Sequence, residues 1–223
     1  MVQYLLHIDT SADNAIVALN CNGIIQYTKL NNEVRNHAGS INLLIESLIA
    51  EANISFTDLS GIAVCGGPGS YTGLRIGLST AKGLCYALDK PMIIDNKLAL
   101  LSYQSFKKYG DKFEQYITLI TARTKEFFIA VYDNEFNCTV EPQHITEDQL
   151  IQITNTTKTT FLTTDSEISL DEIQSLKIIQ IEKNLNIDSD QWAIYAFNRF
   201  VCHDIEILST SEPFYLKQVY THK

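Results

Sequence analysis

Asp9, Thr10 and Ser11 stand at the end of a short apolar run, where a carboxylate can offer oxygen to a metal ion and two hydroxyls can donate to a phosphate. The same triplet is also an ordinary Asx-turn without chemistry, because an aspartate side chain readily bonds its own backbone two residues on. A second stretch raises the same question. In CGGPGSYTGLRIGLSTAKGL, Cys65 to Leu84, five of the first thirteen residues are glycine: Gly66, Gly67, Gly69, Gly73 and Gly77. A glycine inside a helix costs roughly 1 kcal/mol relative to alanine, so something must compensate. A phosphate held at a helix N-terminus could do so. The usual cradles do not match: a P-loop ends in Gly-Lys-Ser/Thr, whereas Gly73 precedes Leu74-Arg75. A dinucleotide fingerprint would need its last glycine at 72, where threonine stands.

Spacing offers another account of these glycines. Gly69, Gly73, Gly77 and Ala81 recur every four residues, so along a helix the last three form one row. A row without side chains lets a second backbone approach closely. That second element can be the chain's own helix over Ile41–Ala52 or a helix of another subunit, and spacing leaves both open.

Other chemistries find less support. The histidines, His7, His37, His144, His203 and His222, are scattered. Four residues after His37 stands Ile41, and four after His144 stands Asp148, so no H-E-x-x-H motif exists. His7 lies within a strand pattern and reads as a satisfied, half-buried residue rather than a ligand. The five cysteines (Cys21, Cys65, Cys85, Cys138, Cys202) never form C-x-x-C and are odd in number, which suits reduced, mostly buried thiols. No G-x-S-x-G elbow occurs; Gly77-Leu78-Ser79-Thr80-Ala81 is the nearest approach and sits inside a helical pattern. No convincing catalytic constellation emerges, and neither a cofactor nor a metal is expected.

The elements that must position these residues follow from periodicity. YLLHID, NAIVALNC and GIIQYTKL read as three leading strands. Ile41, Leu44, Ile45, Leu48, Ile49 and Ala52 mark one helical face, with Ser40 or Asn36 as cap. LSGIAVCGG is a buried strand running into the glycine loop; the next helix starts near Thr72 or Gly73 and stops before Asp89-Lys90-Pro91. PMIIDNK is a strand, LALLSYQSFKKYG a helix closed by Gly110, and QYITLITARTKEFFIAVYD a hairpin turning at Ala122–Lys125. Residues Ile151 to Ser169 specify little beyond a poor strand at Phe161-Leu162. LKIIQIE is a strand, and SDQWAIYAFNRFVCHD a helix with Trp192, Tyr195, Ala196 and Phe200 on one face. The pattern predicts α/β layering in two lobes: residues 1–100, carrying the glycine loop, and residues 101–223, whose final segment can pack back on the first.

Composition is that of a globular protein, 45% hydrophobic and 19% charged over 223 residues. Seventeen Lys and Arg against 26 Asp and Glu leave a net charge of −9, which repels phosphate backbones. The first twenty residues lack a basic n-region, and no run approaches a membrane span, so a cytoplasmic location is expected.

HIDTSADNAIVAL, NHAGSINLLIESL and GGPGSYTGLRIGLSTAKGLCYAL together resemble the TsaB (YeaZ) family, strongly from Tyr4 to about Pro91 and patchily beyond. That family is similar to the catalytic TsaD within the actin-like, Hsp70-like and sugar-kinase superfamily. The resemblance implies an α/β, two-lobed, actin-like (ribonuclease H-like) fold of ATPase type. It implies a non-catalytic subunit that binds and activates a TsaD-like paralogue in forming threonylcarbamoyladenosine on tRNA, with a TsaE-like ATPase joining the pair. Alone, such a chain is expected to form a homodimer, and to meet tRNA only through the complex. TsaD-like chains carry two metal-binding histidines four apart; here His37 is followed by Ile41. Pairing through first-lobe helices makes Gly69, Gly73, Gly77, Ala81, His37 and Ile41 the expected interface, and leaves Asp9, Thr10 and Ser11 as relics of a nucleotide site. The alternative is an ATPase or phosphotransferase using Asp9 and the glycine loop. Three departures stand in the second half: Thr121-Ala122-Arg123 replaces the family's Asp-Ala-Arg beside Glu126, TTDSE replaces a Gly-acid-Gly turn, and Pro213-Phe214-Tyr215-Leu216-Lys217 ends in lysine rather than arginine.

Overall fold

The structure, a computed structural model, describes residues 1–31, 36–154, 157–165 and 178–214. The chain forms two compact units. One comprises Met1–Lys97 and the described residues from Ser189 on; the other is Leu98–Asp188.

The first unit is built on a five-stranded sheet. Strands β1 (Tyr4–Asp9), β2 (Ile16–Cys21) and β3 (Ile24–Leu30) form an antiparallel meander. Helix α1 (His37–Glu51) leads to β4 (Leu59–Gly67), and α2 (Tyr71–Leu88) to β5 (Met92–Asn96). Both β4 and β5 run parallel to β1, giving the order β3-β2-β1-β4-β5. Strands covered on both faces read as nearly unbroken apolar runs, and β1, β4 and β5 do so. Period two sorts their side chains. Leu6 and Ile8 of β1, with Ile62, Val64, Met92 and Ile94, meet Ile41, Ile45, Leu48, Leu78, Ala81 and Cys85 of α1 and α2 in one core. The alternate residues, Leu5 and His7, turn the other way, toward α5 (Ser189–Val201), whose Trp192 and Phe200 they approach.

The second unit repeats this topology. Helix α3 (Lys97–Tyr109) crosses into it and is followed by the antiparallel strands β6 (Gln115–Arg123), β7 (Glu126–Asp133) and β8 (Cys138–Thr146). Helix α4 (Glu147–Thr154) then leads to β9 (Thr160–Thr164) and β10 (Ile178–Glu182), both parallel to β6's direction. Read from β8, the order β8-β7-β6-β9-β10 matches that of the first sheet. Two mixed five-stranded sheets with helices between their strands are the α/β fold class expected from the sequence.

Local chemistry explains most boundaries. Helix α2 begins at Tyr71, earlier than the spacing suggests, because Ser70 is its N-cap and accepts the Gly73 N–H at 3.2 Å. It ends at Asp89 in the left-handed conformation, φ 53°. Asn36 occupies the cap position of α1 but makes no side-chain cap bond. The β6–β7 turn is tighter than expected: Ala122 and Arg123 stay in the strand, and Lys125 supplies the positive φ. Two elements escape the sequence reading, β8 and α4. Strand β8 is an exposed edge strand whose alternation is mostly polar, and α4 has only eight residues.

Candidate functional site

The carboxyl end of β1 is where the sequence places its only candidate chemistry. Asp9 closes the strand and is 4% exposed; Thr10 is fully buried and Ser11 3% exposed. The Ser11 N–H donates to Asp9 Oδ1 at 2.8 Å, the Asx-turn anticipated from the residue types. Thr10 Oγ1 donates to the Gly73 carbonyl at 2.7 Å, and the Ser70 N–H donates to the Ser11 carbonyl at 2.8 Å. The β1–β2 turn is therefore bonded directly onto the first turns of α2.

This contact explains the glycines, and it corrects the expectation about them. A Cβ built on Gly73 would clash with the Thr10 carbonyl oxygen, one on Gly77 with Thr10 Oγ1, and one on Gly69 with the Ser11 carbonyl. What comes close to Gly69, Gly73 and Gly77 within the chain is its own β1–β2 turn. Gly73, Gly77 and Ala81 are buried, and Ala81 lies in the core. The reason is that rows at i+4 and the neighbouring apolar row span one inward stripe of a helix. Among the small row only Gly69 is exposed. His37 and Ile41 are likewise interior, 4% and 2% exposed; His37 Nε2 bonds the Ala12 carbonyl at 3.0 Å.

Other ionisable groups gather at the same sheet ends. Lys97, first residue of α3, is only 8% exposed and its Nζ donates to Ser11 Oγ at 3.4 Å. Sequence reasoning missed it; the available signal was a lysine directly after a fully buried strand. Cys65 on β4 is fully buried. Burial pushes its thiol well above the ordinary range, Asp9 pushes it further, and Lys97 draws it back, so this cysteine is a neutral packing residue. Asp95, paired in register with Cys65, is fully buried and accepts the Trp192 Nε1–H at 2.6 Å and an Arg199 Nη1–H at 2.7 Å. Its partners come from α5, so this carboxylate fastens a helix to the sheet.

His7 is more deeply buried than expected, 1% exposed. The Gly23 N–H occupies Asn20 Oδ1 at 3.1 Å, which turns the Asn20 amide nitrogen toward His7 Nε2 at 2.6 Å. That network assigns the neutral tautomer with hydrogen on Nδ1, and burial lowers the pKa to about 3. Among the described residues no group of three or more His, Cys, Asp or Glu is arranged to hold a metal. The outer side of α1 and α2 forms a shallow groove lined by Ala38, Ile41, Tyr71, Arg75, Ile76 and Thr80. Arg75 stacks on the exposed Tyr71 ring at 4.1 Å.

In the second unit, Thr121 stands where the resemblance expects an aspartate. Asp165 supplies the carboxylate from β9's end instead, accepting the Thr121 N–H at 2.8 Å and its hydroxyl at 2.7 Å. Tyr215 to Lys217 lie outside the described residues.

The sequence profile of the TsaD family, described as tRNA N6-adenosine threonylcarbamoyltransferase, matches residues 30–196. This chain belongs to the TsaD family. It is similar to the tRNA N6-adenosine threonylcarbamoyltransferase of Clostridium perfringens strain SM101, 31% identical over 145 residues that cover 58% of this chain and 43% of the relative. It is equally similar to the tRNA threonylcarbamoyladenosine biosynthesis protein TsaB of Escherichia coli K12, 30% identical over 133 residues covering 60% and 56%. The chain spans about half the length of the curated relatives it matches. YeaZ from Pseudomonas aeruginosa shares the fold, with a TM-score of 0.74 at 20% identity over 96% of this chain and 99% of that one. The likeness to TsaB and YeaZ expected from the sequence is found in both comparisons. Among the described residues no helix is long and apolar enough to cross a membrane.

Proposed function

We propose that this TsaD-family chain is a non-catalytic subunit that binds and activates a TsaD-like paralogue in forming threonylcarbamoyladenosine on tRNA. One observation carries the reading. Where the resemblance to TsaD-like chains expects the second of two metal-binding histidines, this chain has Ile41, 2% exposed and packed in the apolar core with Ile45 and Leu78. A position given to core packing is unsuited to ligating a metal. The likeness to proteins named TsaB supports the same assignment.

The partner face is the exposed side of α1 and α2, where Tyr71 and Arg75 border the groove and Leu43 is 65% exposed. The small row inside α2 acts one step back: it seats α2 on the β1–β2 turn and so fixes the angle at which that face is presented. A TsaE-like ATPase joins the pair, the chain alone forms a homodimer through the same face, and tRNA is held by the partners. The net charge of −9 favours that division of labour. The complex works in the cytoplasm.

The test is reconstitution from purified synthase, TsaD-like and TsaE-like proteins with tRNA, threonine, bicarbonate and ATP, with and without this chain. Product that depends on the chain, is lost with Arg75→Glu and is kept with Asp9→Ala supports the subunit. Product lost with Asp9→Ala and kept with Arg75→Glu favours the second reading, an ATPase or phosphotransferase at the glycine loop. That reading draws on the placement of Asp9, Thr10 and Ser11 at the end of β1.

A further inference from the structure

We propose that Lys97 is the resident cation of the site at the carboxyl end of β1, taking the place of a divalent metal ion, so that no metal–nucleotide binds there. The inference goes beyond the subunit reading and stands whether or not the chain has a partner. A fold of ATPase type implies a metal-bearing phosphate group beside the residues that end β1, so the residues present must be tested for fit.

They do not fit, on three independent counts. Donors come first. A phosphate at a strand–helix junction is held by backbone N–H groups that have no other partner. Here the Ser11 N–H is given to Asp9 Oδ1 at 2.8 Å, the Ser70 N–H to the Ser11 carbonyl at 2.8 Å and the Gly73 N–H to Ser70 Oγ at 3.2 Å. Space comes second. The β1–β2 turn is pressed on α2 so closely that even a Cβ on Gly73 or Gly77 would clash with Thr10. No room for a phosphate is left between Thr10 and α2, and the cavity at the start of α2 includes Asp13 in its lining, a charge of the same sign as phosphate.

Charge comes third, and it points to Lys97. A buried lysine is retained only when its charge is answered nearby. Lys97 reaches Ser11 Oγ, and Ser11 is in turn bonded to Asp9, so the ammonium and the carboxylate are linked through one serine in an interior where both are more than nine-tenths buried. Both charges act on the buried Cys65 thiol, in opposite directions. A divalent ion brought to Asp9 would meet the ammonium as a like charge in a medium that screens poorly. Lys97 thus does for Asp9 what a bound metal would do, neutralising it, without leaving a coordination position open.

The test uses the whole protein and Mn2+ as probe, read by loss of the free-ion electron paramagnetic resonance signal and by melting temperature. Wild type is expected to leave the signal unchanged and to gain no stability from Mn2+ or from Mg2+ with ATP. Lys97→Met, which keeps the side-chain volume and removes the charge, is expected to take up Mn2+, and Asp9→Asn in the same variant to abolish that uptake. If Lys97→Met folds poorly, recovery of its melting temperature by Mn2+ supports the proposal, and failure to recover overturns it. Mn2+ uptake or stabilisation by Mg2+ with ATP in wild type, lost in Asp9→Asn, would also overturn it, as would a folded Lys97→Met that takes up no Mn2+.

Discussion

Residue by residue, the first unit owes its detail to a few side chains held where only one state fits. His7 is the clearest. Its pKa falls from an ordinary 6.5 to about 3 because burial disfavours the imidazolium, and the Asn20 amide already donates to the nitrogen that would be protonated. A depressed folded pKa contributes stability that is present above 6.5 and is lost as pH falls toward 3. Between pH 6.5 and 5 the folded state should lose about 2 kcal/mol, at ~1.4 kcal/mol per unit and proton. Chemical denaturation across that range should show the slope in wild type and a flatter curve in His7→Gln. Two glycines of α2 make a paired test. Gly77→Ala drives a Cβ into Thr10 Oγ1 and should cost about 1–3 kcal/mol as overpacking. Gly83 has nothing within 4 Å of its would-be Cβ, so Gly83→Ala should stabilise by roughly 1 kcal/mol. Equal effects from the two would mean that the turn does not press on the helix.

At the scale of elements, each helix is fastened by a polar contact that periodicity does not announce. Helix α5 returns to the first sheet through Trp192 and Arg199, both aimed at the buried Asp95. Trp192→Phe keeps the apolar bulk and removes one donor, leaving a buried carboxylate short of a partner. The expected cost is about 1–3 kcal/mol, read as a shift of the denaturation midpoint, and Asp95→Asn in the same variant should recover part of it. Helix α2 shows why its boundaries were nearly legible and its role was not. The apolar row and Asp89-Lys90-Pro91 bracket it from sequence alone, with its start placed one or two residues late. What its small face touches is set by a turn sixty-odd residues earlier, Thr10 to Gly73, which no local signal reports. Strand β8 and helix α4 were missed because an exposed edge strand carries little apolar alternation and a short helix little periodicity.

Taken whole, the first unit keeps the end of β1 inward, with Asp9, Thr10 and Ser11 buried, and turns the outer sides of α1 and α2 outward. Substitutions on that outer face should separate assembly from folding: Tyr71→Ala and Arg75→Glu are expected to leave the melting temperature within a degree or two, since exposed changes are nearly neutral. They should nevertheless weaken capture of a TsaD-like partner at least tenfold, measured by calorimetry. Gly77→Ala should instead lower both. An Arg75→Glu variant that binds normally would move the partner face elsewhere.

The sequence alone made legible the order of most strands and helices, the lack of the common phosphate cradles and the resemblance carried by residues 66–88, because these depend on neighbours along the chain. It also exposed Ile41 in the place of a histidine. It did not determine that Gly73 and Gly77 serve the chain's own β1–β2 turn rather than another helix, or that Asp165 provides the carboxylate missing at Thr121. Nor did it reveal Lys97 as the charge set beside Asp9 and Ser11. Those are pairings between segments tens of residues apart. They are settled in three dimensions, because a close backbone approach and a buried charge acquire their partners when the sheet brings distant strand ends together.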